Sequence, residues 1–287
     1  MKSSTSEFLT IRGLKSHVRL WGSADAPKLF LLHGWMDCSA SFQFLVDAFA
    51  RDWRVIAPDW RGYGRSEWLH RSYWFPDYLA DLEALLEHYS PDEAVRLVGH
   101  SMGGNVVSLY AGVRPERVAK LVNLEGFGMH PTEPSLAPGR YAKWLEQDKA
   151  GAALRDYADL EEFAQRLMRD NPRLTKVKAY FLAKNFSRSL ANGRFGYAAD
   201  PWHRVVNPVL YRIEEAMACW QSVTAPVLWV VARDSHLYKE FAGKAEEYQA
   251  RLACFRDLRE VVLEDSGHML HHDQPARLAR VIEEFIG

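Results

Sequence analysis

Residues 95–105 read Val-Arg-Leu-Val-Gly-His-Ser-Met-Gly-Gly-Asn, an apolar run that ends in Gly99-His100-Ser101-Met102-Gly103 and passes into a helix-like pattern over residues 105–113. A serine in a sharp turn between strand and helix is suited to nucleophilic attack. Gly99 and Gly103 flank Ser101 because side chains beside so tight a turn would clash. Ser101 is expected in a strained backbone conformation that lifts its hydroxyl above a sheet edge. The helix behind it aims N–H groups and a positive dipole end at the same point, where a negative oxygen would be stabilised. An ordinary glycine-rich turn is the bland alternative, and the rest of the chain weighs against it.

The elements around this turn alternate in kind. Residues 17–22 alternate apolar and polar and read as an early edge strand, while 28–32 form a continuous apolar run of the sort buried on both faces of a parallel sheet. That run ends in His33-Gly34-Trp35, where Gly34 permits close approach and the Trp35 N–H can face a developing oxyanion beside that of Met102. Residues 41–51 have helical spacing, 53–59 form a strand, and Asp59 and Arg61 in the glycine-punctuated loop that follows are read as braces. Pro76 suits the first turn of a helix whose apolar face is Leu79, Leu82, Leu85, Leu86 and Tyr89. Strands are expected again at 119–126, 225–234 and 260–265, with a last helix at 276–286. This pattern predicts an α/β protein with a doubly wound, mostly parallel sheet, whose ligands bind beyond the carboxyl ends of the strands. Trp35, Ser101, Glu125, Asp234 and His268 all fall at or just past such ends.

Between 127 and 223 the character changes to proline-rich turns, amphipathic helical stretches and many aromatics. This reads as a helical cap inserted over the catalytic edge, so the core divides into 1–126 and 224–287. Most of the aromatics would form the cap's own core, and a few would line a pocket.

The chain has 287 residues, 48% hydrophobic and 25% charged, with formal net charge −1, which gives no electrostatic reason to expect nucleic acid or an anionic membrane as partner. Cys38, Cys219 and Cys254 form no recognisable disulfide framework or zinc motif, and residues 1–10 lack a signal-peptide pattern, so the expected compartment is the cytoplasm. No apolar run is long enough to span a membrane. Oligomeric state is not legible.

With these pieces in place the chain resembles the α/β-hydrolase family over nearly its full length. The resemblance rests on His33-Gly34, Asp59-x-Arg61-Gly62-x-Gly64-x-Ser66, Gly99-His100-Ser101-Met102-Gly103-Gly104, Pro115-Glu116-Arg117-Val118 and Gly267-His268. Residues 32–42 look most like the serine hydrolase-like branch. The resemblance implies Ser101 as nucleophile and His268 as base, and Ser101 in place of Asp disfavours dehalogenase and epoxide hydrolase chemistry. The acid departs from the usual pattern. Its commonest column, in the loop after strand 225–234, holds Ser235, with Asp234 one residue early, whereas the register from Pro115 puts Glu125 in a second known position. Both remain open, with Glu125 preferred.

His100 is read as structural, and His271 and His272 as solvated or helix-capping, because no third metal ligand stands at suitable spacing. No metal or cofactor is called for. The expected function is hydrolysis of an ester-type small molecule (carboxylic ester, thioester or lactone) of apolar or aromatic character, through an acyl group on Ser101. The rivals are a ligand-binding protein without catalysis and a carbon–carbon bond hydrolase.

Overall fold

The computed structural model describes residues 1–287. Eight strands form one sheet in the order β1-β2-β4-β3-β5-β6-β10-β11. In chain order these are β1 (Ser4–Ile11), β2 (Leu14–Trp21), β3 (Lys28–Leu32), β4 (Arg54–Pro58), β5 (Val95–His100), β6 (Val118–Leu124), β10 (Val227–Ala232) and β11 (Leu258–Leu263). The first two pairings, β1 with β2 and β2 with β4, are antiparallel, and the rest are parallel. The expected fold class therefore holds, with one correction at its edge. Strand 17–22 is the second strand, and the edge is β1, whose mostly polar, water-facing residues carry no apolar alternation to betray it.

The continuous apolar runs are explained by burial on both faces. In β3, Phe30 and Leu32 enter one core and Leu29 and Leu31 the other, and β10 divides Trp229 and Val231 from Leu228 and Val230 in the same way. One face is covered by α2 (Pro76–Tyr89), α3 (Met102–Val113), α7 (Ile213–Gln221) and α9 (Ala245–Leu252), through Leu82, Val107, Trp220 and Leu252. The other is covered by α1 (Gln43–Ala48) and α11 (Pro275–Ile286), through Leu45, Leu278 and Ile282. Each fully buried Leu stabilises the sheet by about 1.5–3 kcal/mol, which makes the strand ends stiff supports.

Between β6 and β10 lie α4 (Ala137–Ala150), α5 (Leu160–Asp170), α6 (Lys176–Phe186) and α7, together with a small antiparallel sheet of β7 (Asp156–Tyr157), β8 (Ser187–Ser189) and β9 (Phe195–Tyr197). Short strands escaped the sequence pattern here because two or three residues show no period. Asp159 caps α5 by accepting the Glu162 N–H at 2.8 Å, and Thr175 caps α6 through Lys178. Stacked Tyr157 and Phe163 join Leu174, Leu182 and Phe186 in a core of their own, closed from below by Ala40 and Phe44. By contrast α7 packs on α3, and its Trp220 belongs to the sheet core. The two remaining short helices, α8 (His236–Lys239) and α10 (Leu270–Asp273), follow β10 and β11.

Candidate active site

Ser101 sits between β5 and α3 at φ 52° and ψ −114°, a conformation L-residues rarely adopt. The surroundings enforce it. A Cβ on Gly99 would strike the Gly103 carbonyl, and one on Gly103 would strike the carbonyl of Leu32. The Ser101 N–H donates to the Leu124 carbonyl at 2.8 Å, tying the turn to the end of β6. Ser101 Oγ lies 3.0 Å from His268 Nε2, and His268 Nδ1 lies 3.1 Å from Glu125 Oε2. Nδ1 facing a carboxylate assigns its proton there, leaving Nε2 free to accept from the serine hydroxyl.

Glu125 is 1% exposed and itself adopts a left-handed φ of 60°. Its Oε1 accepts the Ala232 N–H at 2.6 Å, and Oε2 accepts from the Ser235 hydroxyl as well as from His268. The bend is braced by Asn123, whose side chain accepts the Gly126 N–H at 2.7 Å and donates to Ser108 and to the Gly126 carbonyl. Such donors offset the cost of holding a carboxylate away from water.

Asp234 is elsewhere. Its carboxylate faces solvent, 2.7 Å from Arg173 Nη2 and 3.5 Å from Lys239 Nζ, and makes no hydrogen bond to His268. The geometry thus brings Ser101, His268 and Glu125 together and leaves Asp234 out. Ser235 and Asn123 were missed in sequence. Ser235 had a signal, since it occupies the usual acid column, but its role there depends on a residue 110 positions away.

The loop after β3 completes the site. His33 Nε2 accepts the Trp60 N–H at 2.9 Å, so its Nδ1 proton goes to the Gly34 carbonyl at 2.8 Å, and burial lowers this imidazole to about 4. Asp59 accepts from His17, Ser39 and Arg65, and Arg61 is forked between Asp81 and Asp77, so both act as braces. Burial alone would raise the Asp59 carboxyl, but His17 and the other donors hold it well below the usual range. The Trp35 and Met102 N–H groups make no backbone hydrogen bond within the protein.

A cavity of about 210 Å³ opens onto Ser101 and His268. Trp35 and Met36 line it, together with Leu167, Leu182, Phe186 and Tyr197 and the polar Asp170 and Asn171 from the segment between β6 and β10. Tyr197 also donates to the Met36 carbonyl at 2.7 Å, joining that segment to the loop after β3. His100 is buried, and its Nε2 lies 2.9 Å from the His268 carbonyl. His271 and His272 correct the sequence expectation. They are 0% and 2% exposed, and both place Nε2 on Ser41 Oγ, at 2.8 and 2.7 Å, rather than in solvent.

Residues 27–275 match the family model described as alpha/beta hydrolase fold, and the chain belongs to that family. It is similar to a serine hydrolase-like protein of Danio rerio, 28% identical over 298 residues that cover 100% of this chain and 90% of that protein. A solved thioesterase domain from the curacin biosynthetic pathway superposes with a TM-score of 0.87 at 25% identity, covering 98% of this chain and 99% of that one. An esterase of Mycobacterium tuberculosis superposes with a TM-score of 0.74 at 19% identity across 99% of this chain and 91% of that one, a likeness of fold alone. The likeness to the serine hydrolase-like branch stands with the family. No helix is long and apolar enough to cross a membrane.

Proposed function

We propose that the protein is a serine hydrolase acting on small carboxylic ester-type substrates, thioesters and lactones included, through an acyl group carried on Ser101. The observation that carries this reading is the unbroken hydrogen-bonded path from Ser101 Oγ through His268 to Glu125. His268 Nε2 takes the hydroxyl proton as Oγ attacks the carbonyl, and Glu125 stabilises the imidazolium that forms. The negative oxygen meets the free N–H groups of Trp35 and Met102, a contribution of about 3–4 kcal/mol per donor in such sites. His268 then returns the proton to the leaving group, and water repeats the sequence to release the acid.

The cavity supports a small substrate, because about 210 Å³ lies below the usual range of roughly 300–1,000 Å³ for drug-sized ligands. Its apolar lining residues, Leu167, Leu182 and Phe186 among them, favour a short apolar acyl group. Ser235 in the usual acid column donates to Glu125, so the missing acid there is no argument for a binding protein without catalysis.

The test is labelling with a fluorophosphonate followed by peptide mass spectrometry, on the parent and on Ser101→Ala. One adduct on Ser101, absent in the variant, together with loss of hydrolysis of short acyl esters by at least about a thousandfold, is expected. Unchanged ester turnover in a folded Ser101→Ala protein would sink the reading.

A further inference from the structure

Three buried side chains behind His268 take no part in the relay. Asp37, His100 and His271 are 4%, 1% and 0% exposed, and each offers a ligand atom within 4.8 Å of the other two. Asp37 Oδ2, His100 Nδ1 and His271 Nδ1 have no hydrogen-bond partner in the protein. Buried polar atoms are almost always paired, so an unpaired atom on each of three residues whose ligand atoms lie this close calls for an occupant.

We propose that Asp37, His100 and His271 form a binding site for a divalent transition-metal ion of zinc-like softness, and that the bound ion inhibits His268. Two imidazoles and one carboxylate are a donor set that suits zinc, with water as the fourth ligand. The outer contacts are those of metal ligands. His100 donates its Nε2 proton to the His268 carbonyl at 2.9 Å, which leaves the buried Nδ1 lone pair unpaired on the other side of the ring. His271 Nε2 is held on Ser41 Oγ at 2.8 Å and lies 3.9 Å from Asp37 Oδ2, while Asp37 Oδ1 accepts the Cys38 N–H at 2.8 Å.

Each ligand must be deprotonated to bind, so an arriving cation displaces any proton on these groups into solvent. Ligands about 2.1 Å from a tetrahedral ion lie about 3.4 Å apart, so the set draws in by about an ångström on binding. Asp37 and His100 also line the cavity, which supplies a way in.

Inhibition, unlike binding, rests on the proposed serine mechanism. The His100 and His268 rings are 4.8 Å apart between centroids. His100 Nε2 also holds the His268 carbonyl at 2.9 Å, so drawing His100 onto an ion shifts the backbone that aims the His268 imidazole at Ser101.

The experiment equilibrates the full chain with zinc, removes free metal by gel filtration and counts bound zinc by mass spectrometry, with cobalt(II) absorption reporting the coordination. The parent and Ser101→Ala should each hold one equivalent with a four-coordinate cobalt spectrum. His271→Gln and Asp37→Asn should each bind about a hundredfold more weakly. Zinc should lower kcat/KM of the parent by about tenfold or more and spare His271→Gln. The cobalt spectrum of the parent decides the matter even where a variant does not fold. Failure to retain metal, with water alone bridging the three groups, overturns the proposal, as does binding and inhibition unchanged in both variants, which would place the ion on Ser101 and His268. Metal retention is read without turnover, so its failure and that of the esterase reading are separable.

Discussion

Glu125 and Asp234 stand just beyond the ends of neighbouring strands, β6 and β10, and either could have been the acid that faces His268. They differ in surroundings more than in chemistry. Glu125 is enclosed, with a backbone N–H, a hydroxyl and an imidazole each directed at one of its oxygens. Asp234 is partly exposed against two exposed cations, Arg173 and Lys239. A carboxylate in a dry, fully donated pocket has one orientation and a strong local field, whereas exposed ion pairs are worth about 0–1 kcal/mol and constrain little. Position at a strand end is therefore not enough. The carboxylate that faces His268 is defined by the donors that converge on it, and those come from β10, from the loop after it and from His268.

Removing the Glu125 charge tests this contrast most severely. Glu125→Gln keeps the shape but offers His268 a neutral partner, and kcat on a short acyl ester should fall by about a thousand- to ten-thousandfold with KM little changed. Steady-state kinetics checks it, and a loss under tenfold would break the comparison.

Ser235→Ala sharpens it. The variant removes one donor from a buried carboxylate, at an expected cost of about 1–3 kcal/mol in urea unfolding and about tenfold in kcat. Ser235→Thr, which keeps the hydroxyl, should recover most of the rate. Equal rates in the two variants would mean that the hydroxyl does not position Glu125.

Acid titration extends the contrast from one pair to the buried and exposed polar groups in general. His33 is fully buried and lowered to about 4 from 6.5, and His203, stacked between Tyr63 and Tyr73, is lowered by burial to about 3. An unfolded chain takes up these protons below about pH 6.5 while the folded one refuses them. Stability is therefore full above that pH and is lost as pH falls toward the folded values, by about 2 kcal/mol for His33 alone at pH 5. Thermal melts should drop between pH 7 and 5, and His203→Phe, which stacks but cannot take a proton, should flatten part of the slope. A slope unaltered by that variant would remove His203 from the account.

The smallest effect belongs to Asp234→Asn. It should leave kcat/KM within about twofold and stability within about 1 kcal/mol, at low as at high salt. A large loss would reverse the ranking of the two acids.

Much of this molecule is readable from residue order, because its main signals are local. Glycines on either side of Ser101 dictate a turn that few other residues could make, and five-residue apolar runs dictate strands buried on both faces. The alternation of those strands with helices sets the parallel sheet, and with it the edge at which Ser101, Glu125 and His268 gather. β1 was hidden because its face is wet, and β7 to β9 because they are too short to show a period. Which of Glu125 and Asp234 faces His268, the donation from Ser235 and the burial of His271 beside Asp37 and His100 were decided only in three dimensions. Each depends on groups far apart in sequence meeting at a fixed distance out of water. No local pattern encodes that distance, which is set by the packing of strands and helices around it.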